Sequence, residues 1–446
     1  MTSVDFLNQL EKILQQAKAK GADAADILFI KGRHLSVDVR RQELDRVENA
    51  ESQDLGLRLF IGRRQAIVST HDLSQGAIIA LVDRGIAMAR AAPADPFAGL
   101  AENNQLSRKE PVLDLYDATE VDLATLEAEA KEAEAAALSF PGVTNSDSAS
   151  ASFGQSHLTL ISSEGFTAQY STSYHGLSVS AVAGEGVEME RDYDFTSSIH
   201  RQDLEKAAMV GRRAAEKAVK RLKPRKVSSQ IVPVVFDPRI ANSWVRYLLQ
   251  AINGAAIARG TSFLKDKMGK NIFNSAIHIH DDPHRKRGLR SRPVDAEGIA
   301  TKPLALVQDG ILQSWLLDLR TARQLKLSST GHAVRGVASP PSPSASNAYM
   351  AAGKMTPAEL IADIEAGFYV TDTMGGGVNL VTGDYSQGAS GFWIEKGQIA
   401  YPVSEVTIAG HLNDIFKDLT PANDLVFRYG IDAPTLRAAA MTVAGQ

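Results

Sequence analysis

The sequence predicts an α+β protein whose first half combines helices with strands and whose second half is a glycine-rich, mostly antiparallel β domain with a few helices. Three observations lead to this fold class. Apolar residues recur with helical spacing in several segments, and between those segments they alternate with polar residues as in half-exposed strands. Residues 368–411 consist of β-branched and aromatic runs interrupted by turn-forming glycines: Gly375, Gly376, Gly377, Gly383, Gly388, Gly391 and Gly397.

Length and composition restrict the class of protein further. A chain of 446 residues is too long for one ordinary core, so two or three domains are expected. A net charge of -4 argues against direct binding of nucleic acid, and no apolar run approaches the roughly 20 residues that span a bilayer. The first residues lack the pattern of a signal peptide, and the sequence has no cysteine for disulfides or thiolate chemistry. We therefore expect a cytoplasmic enzyme or enzyme subunit.

The N-terminal region is predicted to repeat one order of elements. In residues 1–100, a helix that Gly21 ends is followed by alternating strands and a second helix. In residues 112–225, an alanine- and glutamate-rich helix, strands and another helix follow in the same order. No repeat of individual residues accompanies this order, and we infer two duplicated helix–strands–helix units. The predicted segments are helices at 6–17, 74–90, 123–137 and 203–222, and strands at 25–30, 35–39, 55–61, 66–68, 148–153, 158–162 and 167–182.

A basic run ending at Pro224 separates this region, residues 1–225, from a second domain at residues 226–446. Cations are favourable at a helix C-terminus because of the helix dipole, which explains the run without nucleic acid. The second domain begins with a strand at 231–236, followed by a helix that Asp237 caps. Further short strands and helices lead to the glycine-rich sheet, and Gly367 is expected to end the last helix before it.

Three histidines form the first chemical candidate in the second domain. His278, His280 and His284 lie within seven residues, with Asp281 and Asp282 between them. Imidazole and carboxylate groups are suitable ligands for zinc. The basic run that follows would repel a cation, so a polar exit from a strand into a loop is the favoured interpretation. A metal site at the three histidines stays the alternative.

The glycine-rich stretch also carries a family resemblance. The run from Asn379 to Gly410, with Gly-Asp-Tyr-Ser at 383–386 and Gly-Phe-Trp at 391–393, closely resembles the TldD/PmbA family. These proteins were first called modulators of DNA gyrase and are now regarded as metalloproteases. The resemblance covers nearly the whole chain and is to the PmbA (TldE) branch. Supporting matches lie at 72–74, 95–96, 295–298, 328–332, 346–350 and 441–445.

The resemblance implies chemistry that this chain lacks. The catalytic branch carries a His-Glu-x-x-x-His helix after the first strand of the C-terminal domain and a cysteine near the C-terminus, which together bind zinc and supply the general base. The corresponding helix here has Asn242, Trp244, Arg246 and Tyr247, and the sequence has no cysteine. We therefore expect no catalytic residue and no cofactor in this chain. Whether it is an enzyme by itself is left open.

The resemblance implies a PmbA/TldE-type subunit of a cytosolic heteromeric zinc metalloprotease. A TldD-type partner would supply zinc and the general base, and the complex would degrade or process unfolded or leader peptides. This chain would add a chamber wall and a strand edge to which an extended peptide pairs. The alternative is a stand-alone, homodimeric peptide-binding or regulatory module without protease activity.

Six residues are our candidates for lining the peptide cleft. They combine glycines that permit close backbone approach with short polar side chains and one tyrosine. Ordinary turn and capping chemistry explains the same residues equally well. The candidates are Asn347, Tyr349, Asn379, Gly383, Asp384 and Ser386.

Overall fold

The computed structural model describes residues 3–445 and confirms an α+β protein with mostly antiparallel sheets. In the first half, a helix, three strands and a helix occur twice in succession, as the sequence predicts. In chain order these elements are α1 (Ser3–Ala19), β1 (Ala24–Arg40), β2 (Glu43–Ile61), β3 (Arg64–Thr70), α2 (Gln75–Ala91), α3 (Leu123–Leu138), β4 (Val143–Ser162), β5 (Thr167–Ala183), β6 (Glu190–Ser198) and α4 (Ala207–Lys220).

The two units share one six-stranded antiparallel sheet. The strand order is β3-β2-β1-β4-β5-β6, so the first strands of the two units pair with each other at the centre. The segments 25–30 and 35–39 belong to the single strand β1, the segments 148–153 and 158–162 belong to the single strand β4, and β6 was not predicted. β6 escaped prediction because its buried face is polar, with Asp192, Asp194, Thr196 and Ser198.

The helices cover one face of this sheet. Ile27 and Val37 of β1 point to that face and pack into two apolar cores, one under α1 and α2 and the other under α3 and α4. Side chains of a strand alternate between faces. Asp26 therefore points to the opposite face, where Arg335 of the second half pairs with it. The second half of the chain thus packs on the face that the helices leave uncovered.

The second half contains short helices among strands of very different lengths. None of the helices within residues 3–445 is both long and apolar enough to cross a membrane. In chain order the elements are β7 (Gln230–Phe236), α5 (Pro238–Ala251), α6 (Gly254–Arg259), β8 (Ile279–Asp281), β9 (Leu304–Gln308), β10 (Ile311–Leu312), α7 (Leu319–Leu325), β11 (Ala333–Val334), β12 (Ser342–Pro343), β13 (Ala348–Met350), α8 (Pro357–Ile361), β14 (Ala366–Met374), β15 (Asp384–Glu395), β16 (Gln398–His411), α9 (Leu412–Asp418), β17 (Thr420–Pro421), β18 (Ile431–Asp432) and β19 (Leu436–Ala444).

The glycine-rich strands belong to a sheet that closes on itself. Its order is β16-β15-β14-β7-β19-β17, and β16 also pairs with β19 from Thr407↔Ala444 to Ala409↔Thr442. Only β7 and β14 run parallel within this ring. α5 buries Trp244 against Phe236 and Tyr385, with ring centroids 5.0 Å apart in both pairs. α5 therefore supplies part of the core of the closed sheet.

A smaller sheet and one corrected boundary complete the second half. The smaller sheet has the order β10-β9-β8-β13-β18, and β13 carries Tyr349 between β8 and β18. β11 and β12 form a separate pair. Gly367 was expected to end a helix, but α8 ends at Ile361 and Gly367 lies in β14. An added Cβ at Gly367 would lie 2.9 Å from the Pro233 carbonyl oxygen, so close strand packing is what requires glycine there.

Candidate functional site

The glycine-rich turn before β15 folds back onto the beginning of that strand. The Asn379 amide donates to the Asp384 carbonyl at 2.9 Å, and the Ser386 amide donates to the Gly377 carbonyl at 2.7 Å. The Asn379 side chain accepts from the Val381 amide at 2.9 Å, which is a local turn interaction. Four of the six predicted cleft residues therefore lie together in one turn: Asn379, Gly383, Asp384 and Ser386.

Close contacts hold this turn in place. Gly383 has a φ of +96°, and an added Cβ there would lie 2.7 Å from the ring of His411. An added Cβ at Gly377 would lie 1.5 Å from the Ser386 carbonyl oxygen. On its other side, the start of β15 pairs with β16, with Asp384 opposite His411. Both neighbours of this strand segment are thus parts of the same chain, and the role of the turn in a peptide cleft stays a prediction.

The other two predicted cleft residues lie at β13 in the smaller sheet. Asn347 is 4% exposed, and its side-chain amide donates to the Asp282 carbonyl and to the Ser291 hydroxyl, both at 2.7 Å. Its side-chain oxygen accepts from the Arg290 amide at 3.0 Å. Asn347 therefore holds the loop of residues 282–291 against β13.

Tyr349 belongs to an aromatic group beside that loop. Its ring centroid lies 5.5 Å from that of His280 and 5.2 Å from that of Phe427. The Arg285 guanidinium lies over the rings of both Tyr349 and Phe427. Such cation–π contacts are favourable and do not neutralise the charge of the arginine.

A cavity of about 270 Å³ lies beside Asn347. It is bounded by the end of β6, the loop of residues 282–291 and the segment that precedes β18. We call it the basic cavity because positive side chains outnumber negative ones in its wall. The charged lining residues are Arg285, Lys286, Arg287, Arg428, Asp203 and Asp432.

Two of the four cations in the wall are neutralised by carboxylates. Arg287 donates from Nε to Asp114 at 2.6 Å and from Nη1 to Asp203 at 2.9 Å. Arg428 donates from Nη2 to Asp194 at 2.9 Å. Asp194 is 3% exposed and also pairs with two cations of α4, so it links the wall of the cavity to the N-terminal sheet.

The other two cations have no such partner. Within residues 3–445, neither Arg285 nor Lys286 forms an ion pair, and burial lowers the pKa of Arg285. Asp432 is 2% exposed, burial raises its pKa, and its Oδ1 accepts from the amides of Arg428 and Tyr429. Because Asp114, Asp203 and Asp194 neutralise Arg287 and Arg428, the wall keeps Arg285 and Lys286 against Asp432, an excess of one positive charge when Asp432 is ionised. This arrangement suits the binding of an anion.

The three histidines of the alternative metal site point to separate partners. His278 Nδ1 accepts from the Asp309 amide at 3.3 Å, and His280 packs against Tyr349. His284 Nε2 lies 3.0 Å from the Thr301 hydroxyl. Across residues 3–445, no group of three or more His, Cys, Asp or Glu side chains is arranged to hold a metal ion. The side chains present therefore do not fit a zinc site.

α5 is the helix that follows the first strand of the second half. It has neither histidine nor glutamate, and it buries Asn242, Trp244 and Val245. Arg246 lies on its half-buried side, where burial and the nearby charge of Arg290 lower the pKa of Arg246. The helix therefore contributes packing and positive charge.

Sequence reasoning missed most of the basic cavity. Arg285 and Lys286 belong to the basic run that was expected to repel a metal, and no prediction concerned Phe427 or Arg428. The pairing of β13 with β18 brings the segment around Phe427 beside Asn347. The one available signal was an arginine-rich run directly after a strand, without enough acidic residues nearby to neutralise it.

Family models match three consecutive parts of the chain. Residues 25–89 match the PmbA/TldA metallopeptidase domain 1, residues 116–222 match its central domain, and residues 229–445 match its C-terminal domain. Together these matches cover most of the sequence.

Full-length relatives and a solved structure agree with the family models. The chain is 35% identical to the metalloprotease PmbA homolog of Haemophilus influenzae, over 98% of this chain and 96% of the relative. It is also 35% identical to metalloprotease PmbA of Escherichia coli O157:H7, over 100% and 99% of the two chains. The crystal structure of a protein described as a modulator of DNA gyrase from Bacteroides thetaiotaomicron superposes with a TM-score of 0.92 at 26% identity and covers 100% of both chains.

Proposed function

The chain belongs to the PmbA/TldD metallopeptidase family, and from this membership we propose that it is the non-catalytic, PmbA/TldE-type subunit of a heteromeric zinc metalloprotease. A TldD-type partner supplies the zinc and the general base. The complex degrades or processes unfolded or leader peptides, and we place it in the cytoplasm.

One observation supports the non-catalytic role most directly. α5 has no histidine and no glutamate, and Trp244 and Val245 fix its buried face in the core of the closed sheet. The three histidines elsewhere have separate partners. A metal-activated water needs several converging ligands and a general base, and the side chains of residues 3–445 provide no such group.

The contribution of this chain is then a chamber wall and a surface that holds the peptide. The basic cavity and the aromatic group beside β13 are the surfaces best suited to that task, because they combine a recess with unneutralised charge and exposed ring surface. Asn347 and Tyr349 belong to this region. Asn379, Gly383, Asp384 and Ser386 would contribute only through the turn that covers the beginning of β15.

The direct test is reconstitution of peptidase activity from separate subunits. The purified chain alone should not cleave an unfolded peptide when zinc is added, and a TldD-type partner should create zinc-dependent cleavage. Metal analysis of the lone chain should give no stoichiometric zinc. Cleavage by the lone chain that a chelator abolishes would overturn the proposal and would direct attention back to His278, His280 and His284.

Size measurement distinguishes the subunit from a stand-alone module. Mixing the chain with a TldD-type partner should convert both proteins to a hetero-oligomer, even if the lone chain forms a homodimer. A homodimer that persists unchanged in the presence of the partner would favour the stand-alone peptide-binding or regulatory module.

A further inference from the structure

The basic cavity holds positive charge that the protein itself leaves unneutralised. Arg285 is only partly exposed, its Nε is buried without a hydrogen-bond partner, and it forms no ion pair within residues 3–445. Lys286 next to it is exposed and equally unpaired. The charges of Asp282 and Asp432 act on Arg285 from beyond ion-pair distance, but burial outweighs them and lowers its pKa. Removing a cation from water without a directly paired counter-charge is unfavourable. A bound anion would therefore compensate for the partial desolvation of Arg285.

The loop that carries these cations is held in place before any ligand binds. Asn347 fixes it through three hydrogen bonds to Asp282, Arg290 and Ser291. Arg287, in the same loop, forms ion pairs with Asp114 and Asp203. Binding at such a site does not require ordering of the loop, which lowers the entropic cost of association.

Apolar ring surface lies next to the unpaired guanidinium. Phe427 lines the cavity and is 48% exposed, and Tyr349 packs edge-on against it. A ligand that suits this site has a negative group for Arg285 and Lys286 and a short apolar part for the ring of Phe427. A glutamate or aspartate side chain and the C-terminal end of a peptide both have these properties.

We propose that the basic cavity binds a carboxylate group of an extended peptide, supplied by an acidic side chain or by the free C-terminus. The choice of a peptide as the ligand rests on the proposed function, whereas the preference for a carboxylate rests on the charges of the cavity. A volume of about 270 Å³ accommodates one such group and excludes a folded domain.

The first experiment compares short labelled peptides for binding to the full chain alone, measured by fluorescence anisotropy. One serine- and threonine-rich peptide carries glutamates and an amidated C-terminus. A second has glutamine at those positions and a free C-terminus, and a third has glutamine and an amidated C-terminus. A hydrogen bond to a charged group contributes roughly 1.5–3 kcal/mol, so at least one of the first two peptides should bind about tenfold to a hundredfold more tightly than the third. The two arms show which source of carboxylate the cavity prefers.

The second experiment removes the charges. Arg285→Gln and Lys286→Gln should each weaken binding of the carboxylate peptide severalfold, the arginine variant more, and should leave the neutral peptide unaffected. Arg212→Gln and Lys354→Gln are matched controls, because both residues are exposed and unpaired away from the cavity, and they should change nothing. Added salt should weaken binding of the carboxylate peptide alone. Unchanged urea midpoints would establish that the variants are folded.

Several outcomes would overturn the inference. Equal binding of all three peptides would show that the carboxylate is not recognised. Equal effects of Arg285→Gln and Arg212→Gln would place the interaction elsewhere. Displacement by inorganic phosphate without any preference among the peptides would identify a phosphate site instead. None of these measurements involves zinc, the partner or cleavage, so the result is independent of the reconstitution test.

Discussion

Arg58 and Glu297, which are 239 positions apart in the sequence, meet in the buried contact between the N-terminal sheet and the second half of the chain. Arg58 Nη1 lies 3.4 Å from Glu297 Oε1, and each side chain is 3% exposed. Arg58 also donates to Asp26 of the neighbouring strand, and Arg335 Nη1 reaches the same Asp26 at 2.8 Å. These four alternating charges lie where the two halves of the molecule pack together.

Removing Arg58 should destabilise the protein strongly. Arg58→Ala leaves Asp26 with Arg335 as its ion-pair partner and removes the ion pair of Glu297, and breaking a buried pair costs about 3–5 kcal/mol in the free energy of unfolding. Arg46→Ala is the control, since Arg46 is 69% exposed and should lose at most about 1 kcal/mol. Urea denaturation measures both. Similar losses for the two variants would contradict the role assigned to the buried cluster.

The same cluster predicts how stability depends on pH. Burial, with repulsion from Asp295 adding to it and the charge of Arg58 opposing it, raises the pKa of Glu297 to about 7. The unfolded chain releases this proton near pH 4.3, so the folded state binds more protons between about pH 4 and 7. The contribution of Glu297 to stability is therefore present at low pH and is lost as the pH rises through that window.

Glu297→Gln should remove that loss. From about pH 5 to pH 8, the free energy of unfolding of the wild type should fall by up to about 3 kcal/mol relative to that of the variant. The raised pKa of Asp295 acts in the same direction, and Glu297→Gln also removes the repulsion between the two carboxylates, so the measured shift includes this shared part. Urea denaturation at several pH values provides the comparison, and parallel pH profiles would show that Glu297 titrates normally.

Gly377→Ala should loosen the turn that covers the beginning of β15. The added Cβ would lie 1.5 Å from the Ser386 carbonyl oxygen, which forces the turn away from the strand at a cost of about 1–3 kcal/mol. Gly376→Ala is the matched control, because an added Cβ there has no heavy atom within 4 Å. Hydrogen exchange at the Ser386 amide, which donates to the Gly377 carbonyl, should accelerate only in the first variant. Equal protection in both variants would argue against this contact.

Asp281→Ala should disturb the support of the basic cavity. Asp281 is fully buried, accepts from the amide and the hydroxyl of Ser346, and lies 3.0 Å from His332 Nε2. Its loss leaves these donors unsatisfied beside Asn347, which should cost about 3–5 kcal/mol in the free energy of unfolding. Asp266→Ala, at an exposed residue that forms no ion pair within residues 3–445, should have little effect. A comparable loss in both variants would show that Asp281 does not act as a structural anchor.

Local patterns predicted most elements, and the misses have identifiable causes. α2, α3 and α5 follow from helical spacing and their caps, which are properties of neighbouring residues. β6 escaped prediction because its buried positions are polar, and ion pairs such as that of Asp194 with Arg428 satisfy them. Their partners come from distant parts of the chain, so no local pattern could identify that strand.

For the candidate site too, local patterns predicted some residues, whereas distant contacts decided where those residues lie. Asn347 and Tyr349 were selected from the sequence, and they lie in and beside the basic cavity. Asn379 and Asp384 were selected by the same reasoning and bond to each other in the turn before β15, and their role in a peptide cleft stays a prediction. Turn-forming residues such as asparagine and aspartate occur both in clefts and in ordinary turns, so the residue type alone does not identify a cleft.

The sequence by itself determined the fold class, the repeated order of elements in the first half and the family, because these depend on spacing, composition and motifs along the chain. The tertiary structure decided which charges are neutralised and which are left free. Long-range strand pairing, such as that of β16 with β19 and β13 with β18, brings distant segments together. Arg58 is therefore paired with buried carboxylates, whereas Arg285 lies over aromatic rings at the cavity and forms no ion pair within residues 3–445.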